Sequence, residues 1–402
     1  MQFLKNKYQR AYNKIMKYAS IVLPIPIPKV LEGEGSIKKL ANEKKLKKLK
    51  NILIVTDKIL VKLNLLDDLL VSLKENNINY IIYDAVQPNP TIENIENGLI
   101  LYKKNKCDGI IAFGGGSPMD CAKIIGARVS NPYMSVRRMK GLFRVFLPIP
   151  PFFCIPTTAG TGSETTIAAV ITDPTTHEKF AINDIKLVPK IAVLDPNLML
   201  GLPKHITSTT GLDALTHAVE AFIGLNGTKF TNEKAKNAVK LIFNNLEEVY
   251  NNPKNIEARN NMALASFDAG VAFTRAYIGY VHAIAHNMGG MYGVPHGLAN
   301  AIILPYVLEY YGESIINKLA DLAKVTKIED NKDNNKTLAK KFINKIKEMN
   351  KKMEIPTSIK ELKMSDIPLL AKRALKEANP AYPVPKIMNY EDCQNLIKKL
   401  LP

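Results

Sequence analysis

Half of the six histidines in this 402-residue chain fall within VHAIAHNMGGMYGVPHGLANA, Val281 to Ala301. His282 and His286 stand four residues apart, which places them on one face of a helix. His296 follows beside a Pro-His-Gly turn. Upstream, GLDALTHAVEAF (Gly211–Phe222) sets Asp213 and His217 at the same spacing. A carboxylate with imidazoles is a hard-to-borderline donor set suited to Fe²⁺ or Zn²⁺. A lone histidine among alanines is usually a satisfied core residue, but several potential ligands in two helical clusters favour ligation. The HExxH pattern is absent, because Ala283 stands where its glutamate would be. That argues against metal-assisted hydrolysis.

Two further stretches carry chemistry. IIAFGGGSPMD (Ile110–Asp120) sets three glycines between a strand-like run and a helix-like segment. Ser117 reads as the helix N-cap, Pro118 as its first residue and Asp120 as part of a capping box. A helix N-terminus behind a glycine turn favours phosphate, although the GxGxxG fingerprint is missing and a purely structural turn is an open alternative. IPTTAGTGSE (Ile155–Glu164) is a second loop of glycines and hydroxyls after a strand. Two such loops at strand ends fit the rule that α/β sheets bind ligands outside the carboxyl ends of their strands.

The elements that must position these residues divide the chain. NILIVTD (Asn51–Asp57), INYIIYD (Ile78–Asp84) and CDGIIAFGGGS (Cys107–Ser117) hold short continuous apolar runs, the mark of strands buried on both faces. FFCIPTT (Phe152–Thr158) and KIAVLDP (Lys190–Pro196) read as later strands. Helix-length amphipathic segments alternate with the early ones, which predicts an α/β domain with a mostly parallel sheet. After Pro203 the strand signals stop, and the rest reads as all-helical. One stripe, Leu338, Phe342, Ile343, Ile346, Met349 and Met353, is the core face of a helix with lysines opposite. The expected divisions are an extension over 1–27, a domain over 28–203 and a domain over 204–402. The extension reads as a basic amphipathic helix, then LPIPIP, whose prolines favour an extended segment.

The formal net charge of +18 is spread along the whole chain. No nucleic-acid module accompanies it, so no nucleic-acid partner is expected. No apolar run is long enough to span a bilayer, and no signal peptide is read, so no membrane partner is expected either. Four scattered cysteines without metal or disulfide spacing suggest a reducing cytoplasm.

GGGSPMD, PTTAGTGSE, DALTHAVEAF and VHAIAHNMGGMYGVPHGLANAIILP, in this order, together with YDAVQPNPT (Tyr83–Thr91), resemble the iron-containing (group III) alcohol dehydrogenases of the dehydroquinate synthase-like superfamily. The resemblance runs from about Pro28 to the C-terminus. It implies an N-terminal dinucleotide-binding domain, an all-α C-terminal domain and a metal in the cleft between them. It assigns the metal, Fe²⁺ with Zn²⁺ as the other possibility, to Asp213, His217, His282 and His296. His286 becomes a catalytic residue beside the metal that relays a proton. For the cofactor it implies Gly115, Gly116 and Ser117 at the pyrophosphate, with Thr157, Thr158, Thr161 and Ser163 around it. Asp120 and Lys179 become further contacts, and Asn89 lies on the ribose or nicotinamide side. Asp57 ends the first strand, where a carboxylate binds ribose hydroxyls and repels a 2′-phosphate, so NAD(H) is expected over NADP(H). The implied activity is hydride transfer between a small alcohol and its aldehyde or ketone, by a homo-oligomer. Alternatives are a zinc enzyme like glycerol dehydrogenase or dehydroquinate synthase and, more remotely, a non-redox metal hydrolase or a nucleotide-binding regulatory protein.

One segment departs from the family pattern. FTRAYIGYVHAIAH brings Arg275, Tyr277 and Tyr280 one or two helical turns before His282. Either these side chains reach the substrate pocket, where Arg275 would bind an anionic substrate tail, or they make inter-helix contacts.

Overall fold

The structure is a computed structural model that describes residues 2–175, 178–330 and 332–402. The chain forms two compact units. One comprises Ile25–Leu202 with Lys254–Ala263, the other Met1–Pro24, Pro203–Pro253 and Leu264–Pro402. The first 24 residues therefore group with the helical unit, whereas the sequence reading sets 1–27 apart.

The first unit is built on a six-stranded sheet, all of whose pairs are parallel. Its strands are β1 (Lys29–Glu32), β2 (Asn51–Val55), β3 (Asn79–Tyr83), β4 (Gly109–Gly114), β6 (Phe152–Pro156) and β9 (Ile191–Leu194), in the order β1-β9-β6-β4-β2-β3. The alternation of side chains explains the unbroken apolar runs. Leu53, Val55, Ile110, Ala112, Phe152 and Cys154 enter one core cluster, and Ile52, Ile54, Ile111, Phe113, Phe153 and Ile155 the other. From β2 the chain passes to β3 on one side of it, and from β3 it crosses back to β4 on the other side of β2. The boundary between β2 and β4 is thus a topological switch point, and the carboxyl ends of both strands flank it.

Four strands escaped the sequence reading. β1 is a four-residue edge strand. β5 (Gly141–Leu142), β7 (Ala168–Asp173) and β8 (Glu178–Asn183) form a separate sheet in the order β5-β8-β7. β7 alternates in burial as a half-exposed strand should, and its sequence, AAVITD, opens on four consecutive apolar residues that the sequence reading passed over.

In the second unit the described residues are helical, with 3-10 turns and connecting loops. Asn335–Lys352 buries Leu338, Phe342, Ile346 and Met349 as expected, while Ile343 is half-buried. Gln2–Val22 is a helix. It docks through polar groups: Gln9 Nε2 donates to Asn379 Oδ1 and Asn13 Nδ2 to the Pro380 carbonyl, both at 2.7 Å. Arg10 adds bonds to the carbonyls of Val384 and Pro385. No described helix is long and apolar enough to cross a membrane. All four cysteines are free and buried, and burial raises their pKa values, that of Cys107 to about 11.

Candidate metal centre and dinucleotide turn

Asp213 and His217 lie on the helix Lys204–Ile223, His282 on Tyr280–Tyr292, and His296 opens His296–Tyr311. One potential ligand atom from each of these four residues lies within 4.8 Å of the others. Asp213, His217 and His282 are buried, and His296 is partly open, its side chain 39% exposed. The His217 ring is stacked between Phe273 and His282, at centroid distances of 4.2 and 4.4 Å. Asp213 Oδ1 lies 3.9 Å from His282 Nε2 and 3.5 Å from His296 Nε2.

Gly297 explains how His296 comes so close. A Cβ there would stand 2.4 Å from the Thr209 carbonyl oxygen and 2.9 Å from its carbon. Only glycine lets the two helix backbones approach so near that Asp213 and His296 share a site.

Two residues that the sequence reading passed over orient this cluster. Glu220, three residues beyond His217, is buried. It accepts the backbone N–H groups of Gly279 (2.9 Å) and Val281 (2.8 Å) and lies 2.6 Å from His282 Nδ1. Burial pushes the Glu220 pKa up to about 7, against the pull of those N–H donors. Burial and then the neighbouring imidazoles hold His282 well below the usual histidine range, so its ring is neutral. The tautomer that donates Nδ1–H to Glu220 carries its lone pair on Nε2, the atom that faces the cluster. Asn300, fully buried, donates from Nδ2 to Asp213 Oδ1 at 2.7 Å, and the same atom lies 3.1 Å from His296 Nε2. The i, i+3 and i, i+4 offsets from His217 and His296 were the available signal for both residues.

The donor set fits a divalent cation. His282 Nε2 is buried and makes no hydrogen bond among the described residues, an orphaned lone pair that an ion would satisfy. Three imidazole nitrogens and one carboxylate oxygen make a borderline N/O site.

His286 stands apart from this set. Its ring lies 5.1 Å from that of His296, and its Nδ1 lies 2.7 Å from Glu377 Oε1, which also accepts the Tyr382 hydroxyl at 2.9 Å. The sequence held no sign of Glu377.

In the sheet unit the glycine turn is one half of a cradle. Gly114 has φ of +145°, and a Cβ there would fall 2.7 Å from Pro118 Cγ and 3.1 Å from Leu60 Cδ1. A Cβ on Gly115 would meet Thr158 Oγ1 at 3.3 Å, and one on Gly116 would meet Thr161 Cγ2 at 3.0 Å. The two loops expected at a phosphate therefore face each other across bare glycine backbone, at a helix N-terminus. That helix is Gly116–Ser130, capped by Gly115. The N-cap is not Ser117, whose Oγ instead accepts the Asn89 N–H at 3.2 Å. Pro118 consequently sits in the first turn, where its missing N–H costs nothing.

The other expected cofactor residues divide into two groups. Asn89 joins the turn through Ser117, and its Oδ1 accepts Lys179 Nζ at 2.8 Å. Asp57 follows β2 and caps the short helix Lys58–Lys62, its Oδ1 accepting from Ile59 and Leu60. That helix carries Leu60, which packs beside Gly114. By contrast, Thr157 and Ser163 are buried, and Asp120 is bonded to Ser163 Oγ (2.8 Å) and the Val170 N–H (3.0 Å). Asp120 and Ser163 spend their side chains inside the protein.

In the segment before His282, Arg275 and Tyr280 make contacts within the helical unit. Arg275 donates to the carbonyl of Val271 in its own helix and lies over the Phe230 ring, 5.9 Å from its centroid. It is two residues beyond Phe273, the residue stacked on His217, and two residues turn a helix by about 200°. Arg275 thus points away from the histidines. Tyr280 is fully buried, its hydroxyl bonded to Asn379 and to the Met388 N–H. These contacts favour the inter-helix role of Arg275 over a contact with an anionic substrate tail. Arg275→Ala is expected to change kcat/KM for an anionic and for an alkyl aldehyde by the same small factor, and a loss confined to the anionic aldehyde would contradict this placement.

Residues 27–196 match the family profile "Iron-containing alcohol dehydrogenase", and 207–401 match "Fe-containing alcohol dehydrogenase family, C-terminal". The chain is 38% identical over 373 residues to a 1,3-propanediol dehydrogenase of Citrobacter freundii, a match that covers 91% of this chain and 95% of that one. It is 35% identical to a lactaldehyde reductase of Escherichia coli, with 86% and 91% covered. Among solved structures, a 1,3-propanediol oxidoreductase superposes with a TM-score of 0.90 at 36% identity, covering 93% of this chain and 98% of the other. An alcohol dehydrogenase from Oenococcus oeni gives the same TM-score and identity, with 94% and 99% covered.

Proposed function

Because this chain belongs to the iron-containing alcohol dehydrogenase family, and is thereby an NAD(P)-dependent oxidoreductase of alcohols and aldehydes, we propose that it holds one ferrous ion, prefers NAD(H) and acts on short-chain substrates. The observation that carries the metal assignment is the buried, unpaired His282 Nε2 among Asp213, His217 and His296. When bound, the metal supplies a Lewis acid and the nicotinamide a hydride donor or acceptor. The protein's own part is orientation. Glu220 fixes the His282 tautomer, and Asn300 holds the Asp213 carboxylate against His296. Glu377 fixes the ring of His286, which we assign to carry the proton that leaves the alcohol hydroxyl when the carbon gives up its hydride. The relatives act on 1,3-propanediol, lactaldehyde, methanol and butanol by name, which supports a small substrate. The deciding experiment adds Fe²⁺ or Zn²⁺ to metal-stripped protein and follows NADH oxidation with a panel of short aldehydes. Activity restored by neither ion would overturn the proposal.

Gly114–Ser117 at the switch point supports a pyrophosphate site, and Asp57 beside it supports NAD(H). A 2′-phosphate would meet the Asp57 carboxylate at a cost of a few kcal/mol. Asp57→Gly should relax the preference, at the loss of only about a few tenths of a kcal/mol of helix capping. Equal kcat/KM for NADH and NADPH in the unaltered enzyme would place Asp57 away from the ribose. We also assign the chain to the cytoplasm, on its four free buried thiols. A homo-oligomer is supported by the exposed Tyr133, Phe143, Phe146 and Leu147.

A further inference from the structure

Lys123 is fully buried, two turns into the helix that begins at Gly116. Its ammonium lies 2.7 Å from the Ser163 carbonyl, 2.9 Å from Ser163 Oγ, 2.8 Å from Thr166 Oγ1, 3.2 Å from the Thr166 carbonyl and 2.7 Å from the Ala168 carbonyl. Asp120, one turn nearer the glycines, takes Ser163 Oγ and the Val170 N–H. The buried Glu164 adds a second carboxyl group near the ammonium. A buried ammonium is expensive, and a methionine of similar length would fill the volume at lower cost. Three protons directed at five oxygens of one six-residue stretch fix the path of that stretch as an apolar side chain could not.

We propose that Lys123 is a positioning residue for the dinucleotide. It ties the end of the Thr157–Ser163 loop to the helix whose N-terminus faces the pyrophosphate, so that Thr158 and Thr161 stay seated over Gly115 and Gly116. One helix then supplies both the phosphate-facing N–H groups and the clamp on the loop opposite them. The proposal rests on the reading of the glycine turn as the pyrophosphate site.

The test uses the metal-loaded protein, with NADH affinity measured by fluorescence titration and loop mobility by hydrogen exchange. Lys123→Met is expected to weaken NADH binding about tenfold or more, because the loop must now be ordered on binding. Amides of 161–170 should exchange faster, while kcat at saturating NADH and the metal content stay at wild-type values. An NADH Kd within twofold of wild type in folded Lys123→Met overturns the proposal. So does a fall in kcat with KM for NADH unchanged. Should Lys123→Met fail to fold, Thr166→Val is the deciding variant. It removes one acceptor without changing shape, and should raise the NADH Kd about threefold by the same loss of preorganisation; wild-type affinity there overturns the proposal. A wild-type protein that binds no NADH would instead overturn the pyrophosphate reading, and this proposal with it.

Discussion

His282→Ala is expected to leave a folded protein with no retained metal and with kcat/KM lowered by about a thousandfold or more, since the metal's share of transition-state stabilisation is several kcal/mol. His282 is the most enclosed of the three imidazoles, and its Nε2 has no other partner to satisfy. Metal content by elemental analysis and turnover should fall together. Full metal occupancy in the variant would remove His282 from the ligand set. His286→Ala makes the contrast: it should keep its metal and lose rate, because its Nδ1 is engaged by Glu377 and its ring lies outside the four-residue group.

The second large effect concerns a residue that never touches the metal. Glu220→Ala strips the acceptor from the N–H groups of Gly279 and Val281 and from His282 Nδ1. Each buried donor left unpaired costs about 1–3 kcal/mol, so the unfolding free energy should drop by several. Metal affinity should fall about 10–100-fold, because the free ring no longer presents one fixed tautomer. Denaturant unfolding of metal-free protein reads the first loss, and metal titration reads the second. Unchanged metal affinity beside lowered stability would make Glu220 a helix anchor only.

What the sequence made legible follows periodicity and composition. The five expected strands lie in the parallel sheet, because a strand covered on both faces writes itself as an apolar run. β1 and β8 did not, because short or half-exposed strands carry no such run; β7 carries one, Ile167–Ile171, and was passed over all the same. Helical spacing brought Asp213 beside His217 but gave His282 and His286 equal standing. The choice of His296 over His286 came from family resemblance, and the structure's reason for it is the tight helix crossing at Gly297. Asp120 and Ser163 show what motif wording leaves out: polar residues in a phosphate-like motif can bond one another and the backbone. No local pattern marks Glu377 or the seat of the N-terminal helix, since each partner lies hundreds of residues away or on another element.

The four buried thiols have a practical consequence. Maleimide reagents need an accessible thiolate, and no native cysteine offers one. A single cysteine placed on the exposed outer face of the N-terminal helix, for example by Lys14→Cys, would be the one reactive handle on the molecule. A dye attached there would report rotational diffusion or surface capture of the intact enzyme, with no need to delete any native residue first.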